Sequence, residues 1–193
     1  MGKDILSTLR PALMLALLFA LLLGIAYPLA ITGIGQALFP HQANGSLIMD
    51  KGKAVGSELI GQGFSDPRYF FSRPSAAGKG YDGLASSGSN FGPTSRALID
   101  RTQADIAKFR QTSPGSPVPS DLVMASASGL DPDISPEAAF YQVERVAKAR
   151  NIPAANVRAL VERTIQQPLL GERHVNVVDL NRRLDQIGAT ITR

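Results

Sequence analysis

Few residues in this sequence are placed to do covalent chemistry. Its two histidines, His41 and His174, have no acid at an informative spacing. Ser126 and Ser128 lie in Ala125-Ser126-Ala127-Ser128-Gly129, which lacks the first glycine of a nucleophile elbow, so a hydrolytic triad finds no support. Gly83 and Gly88 have the G-x-x-x-x-G spacing of a phosphate-binding loop, but Ser89-Asn90 stand where that loop needs Lys followed by Ser or Thr. Without the lysine, the charge that holds the β- and γ-phosphates is missing. Asp131, Asp133, Ser135 and Glu137 alternate like the start of a calcium loop. Pro132 and Pro136 interrupt that pattern and the sharp-turn glycine is absent, so a turn leading into a helix cap is the expected role. Zero cysteines exclude disulfides, thiolate zinc sites, iron–sulfur clusters and cysteine nucleophiles. No catalytic residue, metal ligand or directly bound cofactor is assigned.

The segment from Gly61 to Ser95 differs in kind. It has no helical or strand period, yet it holds 7 of the 18 glycines and 6 of the 12 aromatic residues. Unstructured loops of this length inside a compact domain are uncommon and are either functional or disordered, and aromatic content argues against disorder. Tyr69-Phe70-Phe71 and Arg73 sit beside Gly- and Ser-rich backbone able to lie close against another surface, and aromatic and Arg side chains are the usual anchors of interfaces. Tyr69, Phe70, Arg73, Pro74, Ser75, Ser87, Gly88 and Asn90 are the candidate partner-interface residues. The alternative is that these rings simply fill the domain's own core, and sequence alone leaves both open.

The elements that must position this loop begin with a membrane anchor. From residue 11 to residue 49 there is no formal charge, and residues 12–34 carry only Thr32 and the Tyr27 hydroxyl as polar side chains. As a helix, those 23 residues span about 34 Å, enough for a hydrocarbon core of about 30 Å. Pro28 should kink this helix near its far end, which a neighbouring helix makes tolerable by covering the freed carbonyl. A cleaved signal peptide, with Lys3 and Arg10 as its basic region and Gly24-Ile25-Ala26 as cleavage site, is the competing reading, but the apolar run continues well past that site. Lys3 and Arg10 before the segment, with no cation after it until Lys51, put residues 1–11 in the cytoplasm and residues 35–193 outside. The charge of +4 comes from cations interleaved with acids, so a nucleic-acid partner is not expected. Mean hydropathy near zero averages the apolar anchor with a polar domain and describes neither.

In the exported part, residues 46–49 and 54–60 read as strands around an Asp-Lys-Gly turn. Thr94 or Ser95 should cap a helix to about Gln111, and residues 112–119, with three prolines, form a linker or turn. Ser135-Pro136-Glu137 starts a helix that ends near Asn151. A helix from Pro153 carries Val157, Leu160, Val161 and Ile165 and is closed by Pro168. Residues 175–178 read as a strand, after which Asp179 caps a last helix through Leu180, Leu184 and Ile187. The fold class is a single N-terminal transmembrane helix followed by a small α+β exported domain.

Taken in order, many segments resemble one family, the C subunit (KdpC) of the high-affinity potassium-transporting Kdp ATPase. They run from Leu9-Arg10-Pro11-Ala12 and Tyr27-Pro28 through Gln42-Ala43-Asn44-Gly45-Ser46-Leu47-Ile48 and Gly56-Ser57-Glu58-Leu59-Ile60-Gly61-Gln62 with Phe64. They continue with Tyr69-Phe70, Arg73-Pro74-Ser75-Ala76, Ala85-Ser86-Ser87-Gly88-Ser89-Asn90 and Ala125-Ser126-Ala127-Ser128-Gly129-Leu130-Asp131. Ile134-Ser135-Pro136, Arg145-Val146-Ala147-Lys148-Ala149-Arg150, Val175-Asn176-Val177 and Leu180-Asn181 complete the series. Met124, where the family pattern has Thr, and Asp133, where it has His or Asn, depart from it. The resemblance implies a non-catalytic, single-span subunit of a bacterial inner-membrane pump. Its partners would be a potassium-channel-like subunit, a P-type ATPase subunit and a small single-span subunit. ATP and potassium would be handled by the complex, and the family is described as a catalytic chaperone that raises the ATP affinity of the ATPase subunit. The alternative reading is a membrane-anchored periplasmic enzyme or a scaffold unrelated to transport.

Overall fold

A computed structural model describes the backbone of residues 2–113 and 115–191, with side chains for residues 7–113 and 115–187. The chain divides after Leu47 into two compact units.

The first unit is helical. α1 (Gly2–Leu21) runs into a π-helical turn (Leu22–Ala26), then α2 (Tyr27–Leu38) and the short α3 (Pro40–Ala43). Ser7–Leu38 is a single stretch of 32 residues, apolar and long enough to cross a membrane, and none of its most apolar window is buried. Pro28 stands two residues after the end of the π-turn. Beyond Leu38, Asn44 donates to the Pro40 carbonyl (2.6 Å) and exchanges amide hydrogen bonds with Gln36.

The division falls within the first strand of a hairpin, β1 (Leu47–Asp50) and β2 (Lys53–Ser57), with which the second unit opens. Lys51 and Gly52 both take positive φ (47° and 80°), as the two-residue turn that matches strand twist requires. After the long loop come α4 (Arg96–Thr112), a 3₁₀ turn (Ser120–Leu122), β3 (Asp133–Ile134), α5 (Pro136–Arg150), α6 (Ala154–Thr164), β4 (Val175–Asn176) and α7 (Val177–Ile191). α5, α6 and α7 pack in sequence, and β3 pairs antiparallel with β4 through Asp133–Asn176 and Ile134–Val175. The core gathers Val143 and Val146 of α5, Val157 and Val161 of α6, and Leu180 and Leu184 of α7 around Phe70 and Leu122.

Cap chemistry explains most boundaries. Ser135 accepts the Ala138 N–H at 3.2 Å, Pro136 occupies the first helical position, and Asn151 closes α5 in the left-handed conformation. Four expectations need correction. The second strand of the hairpin stops at Ser57 rather than residue 60, because the chain turns there, the Ile60 N–H donating to Ser57 O at 3.4 Å. Ser95 stands at the start of α4 but makes no side-chain cap. The last strand stops at Asn176 rather than residue 178, because Asn176 Oδ1, not Asp179, accepts the capping N–H, that of Asp179 at 3.0 Å. α6 ends at Thr164, before Pro168 is reached.

Candidate functional site

The loop from Gly61 to Ser95 contains no helix or strand and is nonetheless fixed, by side chains that bond its backbone. Phe70 donates its N–H to Asn181 Oδ1 (2.8 Å) and its carbonyl accepts from Asn181 Nδ2 (3.0 Å). Phe71 makes the same exchange with Gln142, N–H to Oε1 at 2.8 Å and carbonyl from Nε2 at 3.1 Å. Each amide thus supplies the pair of bonds that a neighbouring strand would supply, one from α7 and one from α5. Both amides are buried, at 1% and 2% exposure, so water cannot replace them.

Arg145 completes the clamp. Its guanidinium lies 3.9 Å from the Phe71 ring centroid and donates to Pro67 O (2.6 Å), Tyr69 O (3.0 Å) and Gln142 Oε1 (2.6 Å). Burial pulls this guanidinium down to about 10.

Tyr69 is half-buried. Arg150 lies over its ring at 4.7 Å, its hydroxyl donates to Asp185 at 3.2 Å, and Arg150 also pairs with Asp185 at 2.7 Å. The Phe70 ring is wholly buried, so of the two open roles it takes the core one.

Arg73, Pro74 and Ser75 face a second strip, residues 124–131. Arg73 pairs with Asp131 (3.0 Å) and donates to Met124 O (3.3 Å). Met124 contributes backbone groups here, its carbonyl to Arg73 and its N–H to Ser120 O at 2.8 Å, while its side chain is exposed. Ser75 Oγ donates to Gly129 O (2.6 Å) and accepts the N–H groups of Ala77 (3.2 Å) and Tyr81 (2.8 Å). Tyr81 donates to Arg73 O at 2.6 Å, and burial pushes its phenol up. Gly129 holds φ +66°, and a Cβ there would lie 2.6 Å from Ser87 O and 2.7 Å from Ala77 N, so only glycine fits. Ser87 and Gly88 lie on the same strip, Ser87 N–H donating to Ser128 O at 3.0 Å and Gly88 packing against Ala127. Ser126 and Ser128 bond the backbone of Gly129 and Leu130.

The structure therefore brings Arg73, Ser75, Ser87 and Gly88 together on the 124–131 strip, and Tyr69 and Phe70 together against α5 and α7. Asn90, at φ 52°, is exposed. Arg73 also borders two grooves. One, of about 220 Å³, is lined by Phe71, Tyr81, Lys108 and Leu122. The other, of about 610 Å³, is lined by Leu59, Ile60, Ser126 and Asp131. Among the described residues, no three His, Asp or Glu side chains gather as a metal cluster.

Sequence reasoning missed Gln142, Asn181 and Arg145 as organisers of the loop. The available signal was an amide on the apolar face of a helix, Gln142 beside Val143 and Val146, Asn181 between Leu180 and Leu184.

The family model described as K+-transporting ATPase, c chain (KdpC) matches residues 9–186. The chain is similar to the potassium-transporting ATPase KdpC subunit of Caulobacter vibrioides, 58% identical over 184 residues, covering 93% of each chain. It is 54% identical over 189 residues to that of Allorhizobium ampelinum (96% of this chain, 99% of the relative). It is 51% identical over 199 residues to that of Bradyrhizobium diazoefficiens (95% and 99%).

Proposed function

The chain belongs to the KdpC family of K+-transporting ATPase c chains, and on that premise we propose that it holds together the potassium-channel-like and P-type ATPase subunits of the pump. A small single-span subunit is the third partner. The chain carries out no reaction itself.

The observation that supports this reading is the pre-formed loop. Segment 61–95 is ordered by the domain's own amides and carbonyls, so docking onto it costs little further ordering entropy. On its outer rim Ser87, Asn90, Phe91 and the fully exposed Leu84 face solvent. Lys3 and Arg10, ahead of the apolar helix, orient the chain with its N-terminus in the cytoplasm and residues from about 35 onward in the periplasm. ATP lies on the cytoplasmic side. A raised ATP affinity of the ATPase subunit then reaches it as a coupling through the membrane helix and its packing, rather than through direct nucleotide contact with the folded domain.

The experiment is co-purification of pump subunits from membranes with the full chain and with a chain truncated after residue 34. The full chain should recover a complex with potassium-dependent ATPase activity, and the truncated chain should not. Full assembly and activity with the truncated chain would overturn the reading. Protease added to spheroplasts should digest the C-terminal domain, whereas protection would return it to the cytoplasm and favour direct nucleotide contact.

A further inference from the structure

Between Leu21 and Pro28 the apolar helix leaves α geometry. The Tyr27 N–H reaches Leu22 O, five residues back rather than four. Pro28 has no N–H at all. The carbonyls of Leu23 and Gly24 are left with only the Leu29 N–H to compete for, so at least one of them has no backbone donor. The midpoint of Ser7–Leu38 falls between Leu22 and Leu23, so this open acceptor lies at the depth where a bilayer holds no water.

The helix cannot close the gap itself. Within residues 12–34 the only polar side chains are Tyr27 and Thr32. Thr32 lies about 12 Å further along the axis from Gly24, and the Tyr27 hydroxyl ends too far from its own backbone to fold back onto it. Lipid tails carry no donor. Gly24 leaves the backbone bare on this face: a Cβ built there meets nothing within 4 Å.

We propose that the Leu23–Gly24 carbonyl edge is a docking point for a transmembrane helix of a partner pump subunit, which donates a side-chain hydroxyl or amide hydrogen bond at mid-membrane. The proposal rests on the assembly role above and names the contact within it. The partner residue is Ser, Thr, Asn or Gln, since these supply a neutral donor without placing a charge in hydrocarbon.

The test uses the full chain co-expressed with the other pump subunits, recovered from solubilised membranes and normalised to inserted chain. Gly24→Leu should cut recovery of the partners by about tenfold or more, because it blocks close approach. Ala26→Leu, two residues on and therefore on the opposite side of either helix type, should leave recovery within about twofold. Pro28→Ala restores the missing N–H, closes the acceptor and should weaken recovery by about three- to tenfold. Equal effects at positions 24 and 26, or no effect at 24, would overturn the proposal. So would loss of recovery with Tyr27→Phe, which would put the contact on this chain's own hydroxyl rather than on its carbonyl edge. A wild-type chain that recovers no pump subunit would overturn the assembly reading itself, and this contact with it.

Discussion

Replacing Gln142 by Leu keeps most of the side-chain volume and removes one half of the clamp. Three groups lose their partner at once: the Phe71 N–H, the Phe71 carbonyl and Arg145 Nη2. At these largely part-buried positions each polar group left unsatisfied costs about 1–2 kcal/mol, and the apolar replacement returns about 1 kcal/mol of burial. The expected loss is about 2–5 kcal/mol, a large part of the about 5–15 kcal/mol available to a domain. With a urea slope of about 2 kcal/mol/M, the unfolding midpoint of the full chain in detergent should fall by about 2 M. Near-ultraviolet tyrosine signals are the probe, since the chain has no tryptophan. Asn181→Leu strands the two groups of Phe70 and should cost about 2–4 kcal/mol. The double variant should lose less than the sum, because once one amide is gone the Phe70–Phe71 segment can shift toward water. A loss under about 1 kcal/mol for Gln142→Leu, with Asn181→Leu equally mild, would mean that the loop is held by its rings and not by the amides, and the reasoning would fail.

Gly129→Ala should destabilise by about 3 kcal/mol or more, since it adds left-handed strain to a clash with two backbone atoms, and segment 61–95 should become the first protease cleavage site. Asp133 has a buried Oδ1 with no partner; burial raises its carboxyl, with Asp131 adding to the rise and His174 opposing it. The folded chain therefore holds that proton more tightly than the unfolded chain, and stability falls as pH rises through the window between the usual carboxylate value and the raised one. Asp133→Asn should gain about 1 kcal/mol in urea titrations at pH 7 and lose that gain below pH 4. Asn176→Ala removes the cap of α7 and a bond from its Nδ2 to Glu58 O, and should lower stability by about 1–2 kcal/mol in the same titration.

Helix α5 was readable because its start and stop lie in a few adjacent residues, Ser135-Pro136 and Asn151. The hairpin was readable for the same reason, its turn being spelled by Asp50-Lys51-Gly52. The β3–β4 pair was not. Two-residue strands some forty residues apart leave no periodicity to see. Asp179 was read as a cap because it heads an apolar run, yet the backbone had already turned helical at Val177, which handed the cap to Asn176. The loop residues were singled out correctly as unusual. Their division of labour was hidden, because whether Phe70 faces a partner or the core depends on Asn181, 111 residues away.

That separation also fixes an order of events during synthesis. The N-terminal anchor and the hairpin are complete early, but Phe71 waits 71 residues for Gln142, and Phe70 waits 111 for Asn181. Closing loops of that length is slow compared with local helix formation. Until the last helix emerges from the ribosome, Phe70 and Phe71 lack the amides of Asn181 and Gln142 that hold them. A nascent chain stalled before residue 181 is therefore a substrate for holdases and proteases, and premature stop codons anywhere ahead of α7 should leave an anchored but unfolded product.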